Sequence, residues 1–252
     1  MKTLEEYSGM ATAGVIIAIT LLLWELGVHV THLPVYLLPA PSAILATLAA
    51  NPGEYSLASL ITLSEAALGL LLGLSAGIAA AVLLGLVPRL EQGVMTLAIL
   101  IKSTPMVAIA PLLTIWLGFG MFPKILITAL LTFFPVLVNS LSGLRSADIA
   151  MIETFQAWDA SPFEIFWHVR MPASLPYLFA ALKVSAPLAL VGAVVAEWTG
   201  ASGGLGRIMW LAYSNLNLPY LFGAVFILAV TGVALYGLIN WLEDKIVFWK
   251  MK

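Results

Sequence analysis

Cysteine is absent from the 252 residues, which removes disulfides, thiolate metal sites and thiol nucleophiles. Charge is scarce: Asp, Glu, Lys and Arg together make up 10% of the chain, against about 25% in a soluble domain. The formal net charge is −2 with no basic stripe, so no nucleic-acid partner is expected. No Walker lysine pattern occurs, and the chain therefore does not cradle ATP itself. No grouping of serine, histidine and carboxylate suggests hydrolysis. His29 and His32 lie three apart but lack a third ligand, so no metal and no cofactor is expected on this chain. No cleaved leader is expected of the first apolar run: Glu5 and Glu6 spoil a basic n-region, no small-residue cleavage site follows, and the run is expected to stay as a helix.

What the chain has is oil. Apolar residues reach 62% and the mean hydropathy is +1.04, values of a bilayer protein. A span needs about 20 residues, and six candidates fit: Met10–Val30, Leu57–Val87, Val94–Leu117, Lys124–Gly143, Tyr177–Trp198 and Leu221–Leu242. The second exceeds what a bilayer requires and should tilt or project. Proline-rich Thr31–Tyr55 separates the first two, with Ser42–Ala50 as a short interfacial helix. With the N-terminus inside, seven basic residues (Lys2, Arg89, Arg145, Arg170, Lys245, Lys250, Lys252) are cytoplasmic and two (Lys124, Arg207) external. The positive-inside rule thus puts both termini in the cytoplasm.

Within the spans, Gly69, Gly73, Gly77, Ala81 and Gly85 recur every four residues, a stripe that lets helices approach closely inside the subunit. Pro105 and Pro111 interrupt the third span, Pro135 the fourth and Pro187 the fifth, as in helices bent around a cavity. Glu25, Glu65, Lys102 and Glu197 fall at membrane depth, where ionisable groups face a bundle interior or a water path. Glu25 and Glu197 read as near the outer boundary, and Glu65 with Lys102 as a structural ion pair. The glycine-rich Gly200–Gly206 reads as a tight external turn or a re-entrant bend.

A polar island, about residues 146–173, stands between the fourth and fifth spans. Ser161 suits a helix N-cap, Pro162 its first position and Glu164 the capping-box acid. Pro172 is expected to stop that helix. Phe155, Trp158 and Phe163 are expected to be exposed, which suits cover by a partner on the water side.

The spacing from Glu153 through Asp159 to Val169, Met171 and Pro172 resembles the cytoplasmic "EAA loop" of ABC importer permeases, with Thr154 and Phe155 in place of the alanines and Asp159 in place of the glycine. Ser103-Thr104-Pro105 followed by Pro111–Gly120 resembles the third-span signature of the nitrate/sulfonate/taurine-type permeases, and Leu37–Ser42 their external segment. Gly192–Trp198 with Gly203–Gly206 is similar to the branch importing thiamine precursors and riboflavin. Glu65 stands where these permeases usually carry a basic residue. The resemblance spans nearly the whole chain and implies one domain, 1–252, with the six-span all-α fold of a type I ABC importer permease. It implies a second copy in a homodimer, a cytoplasmic ATPase dimer that holds ATP and Mg, an external binding protein, and the inner membrane of a bacterial cell. The solute would be a thiamine precursor, a riboflavin-like heterocycle or a sulfonate/nitrate-type anion. Coupling residues would be Glu153, Phe155, Trp158, Asp159, Ser161, Phe163 and Pro172. Pathway candidates on the third to fifth spans are Lys102, Met106, Trp116, Phe133, Phe134, Asn139 and Glu197. The rival reading is a stand-alone secondary transporter or channel, in which the charges at membrane depth would carry coupling.

Overall fold

The computed structural model describes residues 2–249, with side chains from Ala11 onward. Lys250 and Lys252, used above for orientation, lie outside the described residues, as does the side chain of Lys2. Among the described residues there is no strand. The helices are α1 (Lys2–Thr31), α2 (Pro41–Ala50), α3 (Pro52–Leu86), α4 (Glu91–Ser103), α5 (Met106–Leu117), α6 (Met121–Arg145), α7 (Ile149–Ala157), α8 (Pro162–Ile165), α9 (Met171–Glu197), α10 (Leu205–Ser214) and α11 (Leu218–Ile246). Stretches of α1, α3, α6, α8–α9 and α11 are long and apolar enough to cross a bilayer.

The sixth crossing is not one straight helix. A 3-10 turn, Pro88–Leu90, leads into α4, and α4 and α5 meet at a bend of 95°. Pro105 sits at the break, and the residue before it, Thr104, is extended (ψ 129°) as steric clash with a following proline requires. Pro111, Pro135 and Pro187 instead remain inside α5, α6 and α9. Pro172 departs from expectation. It does not end a helix but occupies the first turn of α9, where its missing N–H costs least. The five residues before α9, Phe166–Arg170, form a π turn, so α8 runs through into α9 as one 36-residue apolar stretch, Pro162–Glu197. A widened turn accommodates the ring where a regular turn would clash.

Two compact units are distinguishable. The first comprises Met1–Leu57 and Ile208–Ile227. Here Glu25 on α1 accepts hydrogen bonds from the Ser42 N–H (3.0 Å) and hydroxyl (2.6 Å), and so caps the start of α2. Tyr55 donates to the Tyr220 carbonyl at 2.9 Å, and Tyr220 donates to Glu54 at 2.5 Å. Gly223 lies against the Tyr55 ring, where any Cβ would collide with it.

The second unit comprises Ala58–Arg207 and Leu228–Lys252. Its centre is built by close backbone approach. A Cβ on Gly69, Gly73 or Gly77 of α3 would run into Thr128, Thr132 or Val136 of α6. Each step of four on one helix thus meets a step of four on the other, and the stripe packs two helices of one subunit together, as its spacing implied. Gly85 lies outside this contact, with open space around its Cα. Gly143 and Gly192 seat α6 and α9 against each other in the same way. The apolar core continues through Ala81, Leu84, Leu137 and Leu141, and through Ala110, Leu113, Ile127 and Ala196.

Candidate functional site

Between α6 and α9 the chain leaves the bundle as a small self-packed hairpin. Asp148 caps α7 by accepting from the Ala150 N–H at 2.9 Å. Ser161 and Glu164 form the reciprocal capping box expected of their spacing, and this starts α8. Ala147, Ile165 and Val169 form a miniature core, with Ile152, Phe155, Ala160 and Ala173 packed against it. Phe155 therefore differs from expectation. It is half-buried, packs against the miniature core and stacks on His168 (centroids 6.3 Å apart). Trp158 and Phe163 do face outward, 73% and 70% exposed, joined by Ile149 on the same segment. Glu153, on α7, is exposed.

Asp159 occupies the turn between α7 and α8 with φ +57°. That left-handed conformation strains most side chains, while glycine adopts it freely and aspartate tolerates it. The aspartate at the glycine position of the loop pattern therefore keeps the backbone shape that glycine would supply.

The pathway candidates separate into three groups. Lys102 and Trp116 are exposed, Phe133, Phe134 and Asn139 are half-buried, and Met106 and Glu197 are buried. Met106 packs with Ala110, Leu113 and Ile127, inside the core rather than on a surface. Asn139 donates back to the Pro135 carbonyl at 2.7 Å. Glu197 is 1% exposed, and one of its oxygens accepts from the Thr62 hydroxyl at 2.7 Å. Its other oxygen accepts from the Gly206 N–H, while the Thr62 oxygen accepts from the Leu205 N–H at 2.8 Å. The Glu197 carboxylate and the Thr62 hydroxyl it holds therefore satisfy between them the first two N–H groups of α10, Gly206 and Leu205 respectively. A Cβ on Gly204 (φ +104°) or Gly206 would strike that carboxylate, which accounts for the glycines of this turn.

Glu65 lies one turn beyond Thr62 on α3 and takes Lys124, not Lys102, at 2.5 Å. Both partners are buried, at 2% and 8% exposure. Lys124 had read as an external loop charge because it stands within the first turn of α6. Its side chain turns inward, where it meets the Glu65 carboxylate. A second internal pair had no counterpart in the sequence reading: Lys183 of α9 donates to Glu243 and to Asn240 (2.7 Å) of α11. The available signal was a lone mid-span lysine together with two acceptors three residues apart on one helix face.

Residues 69–248 match the family described as the binding-protein-dependent transport system inner membrane component. The chain belongs to this family. It is 32% identical to a probable ABC transporter permease protein of Haemophilus influenzae, over 92% of this chain and 95% of the relative. It is 31% identical to the formylaminopyrimidine transport permease protein ThiX of Halalkalibacterium halodurans, over 92% and 93%. Against the putative aliphatic sulfonates transport permease protein SsuC of Bacillus subtilis the identity is 32%, over 96% and 87%. The fold matches a chain of the inward-facing MetNI methionine ABC transporter with a TM-score of 0.63 at 20% identity, over 77% of this chain and 94% of that one. It also matches a chain of an amino acid ABC transporter with a TM-score of 0.66 at 16% identity, over 81% and 98%. The permease is thus an ABC importer subunit of the type I fold.

Proposed function

We propose that this permease forms, with a second copy, the alternating-access pathway of an importer that a separate cytoplasmic ATPase drives. An external binding protein delivers the solute, a small molecule of the kinds for which the relatives are named: formylaminopyrimidine, riboflavin or aliphatic sulfonates. The chain lies in the inner membrane with both termini and the hairpin in the cytoplasm, as the loop charges favour. It performs no covalent chemistry; ATP and Mg belong to the ATPase.

One observation carries this reading: a folded hairpin that presents Trp158 and Phe163 outward at the junction of two long helices. Large aromatic groups exposed on a capped, internally packed element suit a pocket on a partner. A push on the hairpin reaches α9 through the π turn that joins it to α8, and α6 through the short link of residues 146–148. Purification of the tagged permease from its native membrane tests the proposal. The expected result is a stoichiometric ATPase and uptake that stops without ATP. Uptake by the permease alone, driven by an ion gradient, would contradict it in favour of a secondary transporter.

A further inference from the structure

Three lysines lie within the helices of the second unit at depth in the bundle, and they are treated differently. Lys124 meets Glu65 and Lys183 meets Glu243, so two of the three are neutralised by a carboxylate. Lys102 is not. Among the described residues its ammonium meets no acid, only the face of the Phe134 ring at 4.5 Å.

The depth of this lysine follows from a fixed reference. Arg145 at the end of α6 forms a two-pronged ion pair with Glu91 at the start of α4, at 2.6 and 2.9 Å, which puts these two helix ends at one level. Lys102 and Phe134 are each eleven residues from that level along their helices, a climb of about 17 Å at 1.5 Å per residue. The shared climb brings the ammonium over the ring. With that level at the cytoplasmic edge of the hydrocarbon layer, which is about 30 Å thick, the climb puts Lys102 near its middle.

Three unfavourable features coincide at this height. Lys102 is exposed on the subunit, and so are Ser103, Thr104 and Pro105, where the α4–α5 crossing breaks by 95°. A helix break leaves backbone polar groups without partners. Neither an unpaired ammonium nor broken backbone is tolerated against lipid at that depth; both occur where they line water or meet protein. The ring of Phe134 offsets part of the cost of the charge but cannot neutralise it.

We propose that Lys102 marks the mid-membrane point of the aqueous pathway, where its ammonium receives the anionic group of the solute, a sulfonate, carboxylate or phosphate. This rests on the permease reading above and narrows the solute to one chemical class. Two copies about a two-fold axis would bring two such charges to the same passage, strengthening its attraction for anions.

The natural lack of cysteine allows a direct test. A Thr104→Cys permease is purified with its ATPase and treated with two methanethiosulfonates of similar size, one sulfonated and one bearing trimethylammonium. Modification of the permease chain is followed by intact mass. The ratio of the anionic to the cationic rate should fall by about 3- to 10-fold when Lys102→Gln is added, the effect of one unit charge at close range in a wet site. Lys102→Arg should keep the ratio. Because any change in thiol ionisation affects both reagents equally, it cancels in the ratio. An unchanged ratio, or no labelling by either reagent, overturns the proposal. Retention of the ATPase in the same samples shows that the permease reading still stands in that event. A second arm addresses the chemical class: the molecule that mass spectrometry finds on the partner binding protein should carry an oxyanion. An uncharged solute would overturn the assignment of the anion while leaving the water-lined position of Lys102 intact.

Discussion

Removing the ammonium of Lys124 strands the Glu65 carboxylate, which has only 2% exposure. Lys124→Met alone should therefore lower stability by about 3–5 kcal/mol, whereas adding Glu65→Leu should restore most of it. Thermal unfolding of the purified complex in a double-mutant cycle measures this. The same cycle run on Glu65 and Lys102 should be additive, because these two are not partners. Gly204 makes a separate test. It combines a backbone conformation that other residues avoid with a Cβ direction blocked by Glu197. Gly204→Ala should cost about 1–3 kcal/mol, read as a lower Tm, and a neutral effect would mean that the Glu197 clamp on α10 yields easily. These pairings show where residue-level reading stops. Depth along a helix can be counted from the chain, and it placed Glu65 deep in the bundle, where it is buried; it read Glu197 as near the outer boundary, without the burial that Thr62 and Gly206 give it. The direction in which a side chain points around its helix depends on packing, so Lys102 was matched to Glu65 when Lys124 was the neighbour.

The hairpin is the element whose logic is most local, and it was correspondingly legible. Ser161, Pro162 and Glu164 specify a helix start through bonds that span three residues, and the observed capping box uses those groups. Two of its features depend on more distant contacts and were not foreseen. Phe155 is turned inward by the miniature core, and Pro172 is absorbed by the π turn before it. Their different settings separate two substitutions of the same kind. Phe155→Asp should disrupt the hairpin itself, seen as faster proteolysis between α6 and α9. Asp159→Gly should leave ATPase retention intact, since glycine adopts the φ of +57° more freely than aspartate. Asp159→Val should weaken it, because a β-branched residue is strained there. A hairpin that tolerated Asp159→Val without loss would mean that this turn does not set the docking geometry. The break between α4 and α5 belongs to the same scale. Proline marked it, yet its 95° angle was not legible, because Pro111, Pro135 and Pro187 stay within continuous helices.

For the whole molecule, hydropathy and loop charge carry the architecture, since a bilayer leaves helices as the only open-ended spanning form. The six expected crossings correspond to five long helices and one broken pair. Orientation is tested in intact cells with single cysteines. An impermeant reagent should label Ser202→Cys and spare Ala157→Cys, and the reverse would invert the topology. The most direct test of the central claim, that this hairpin couples the permease to an ATPase, is the amount of ATPase recovered with tagged Trp158→Asp. Trp158 stands 73% exposed, and the substitution should leave insertion intact. Loss of a buried aromatic anchor costs about 2 kcal/mol or more, so affinity for the ATPase should drop about 30-fold or more and uptake should cease. Normal ATPase yield together with normal uptake would contradict the account.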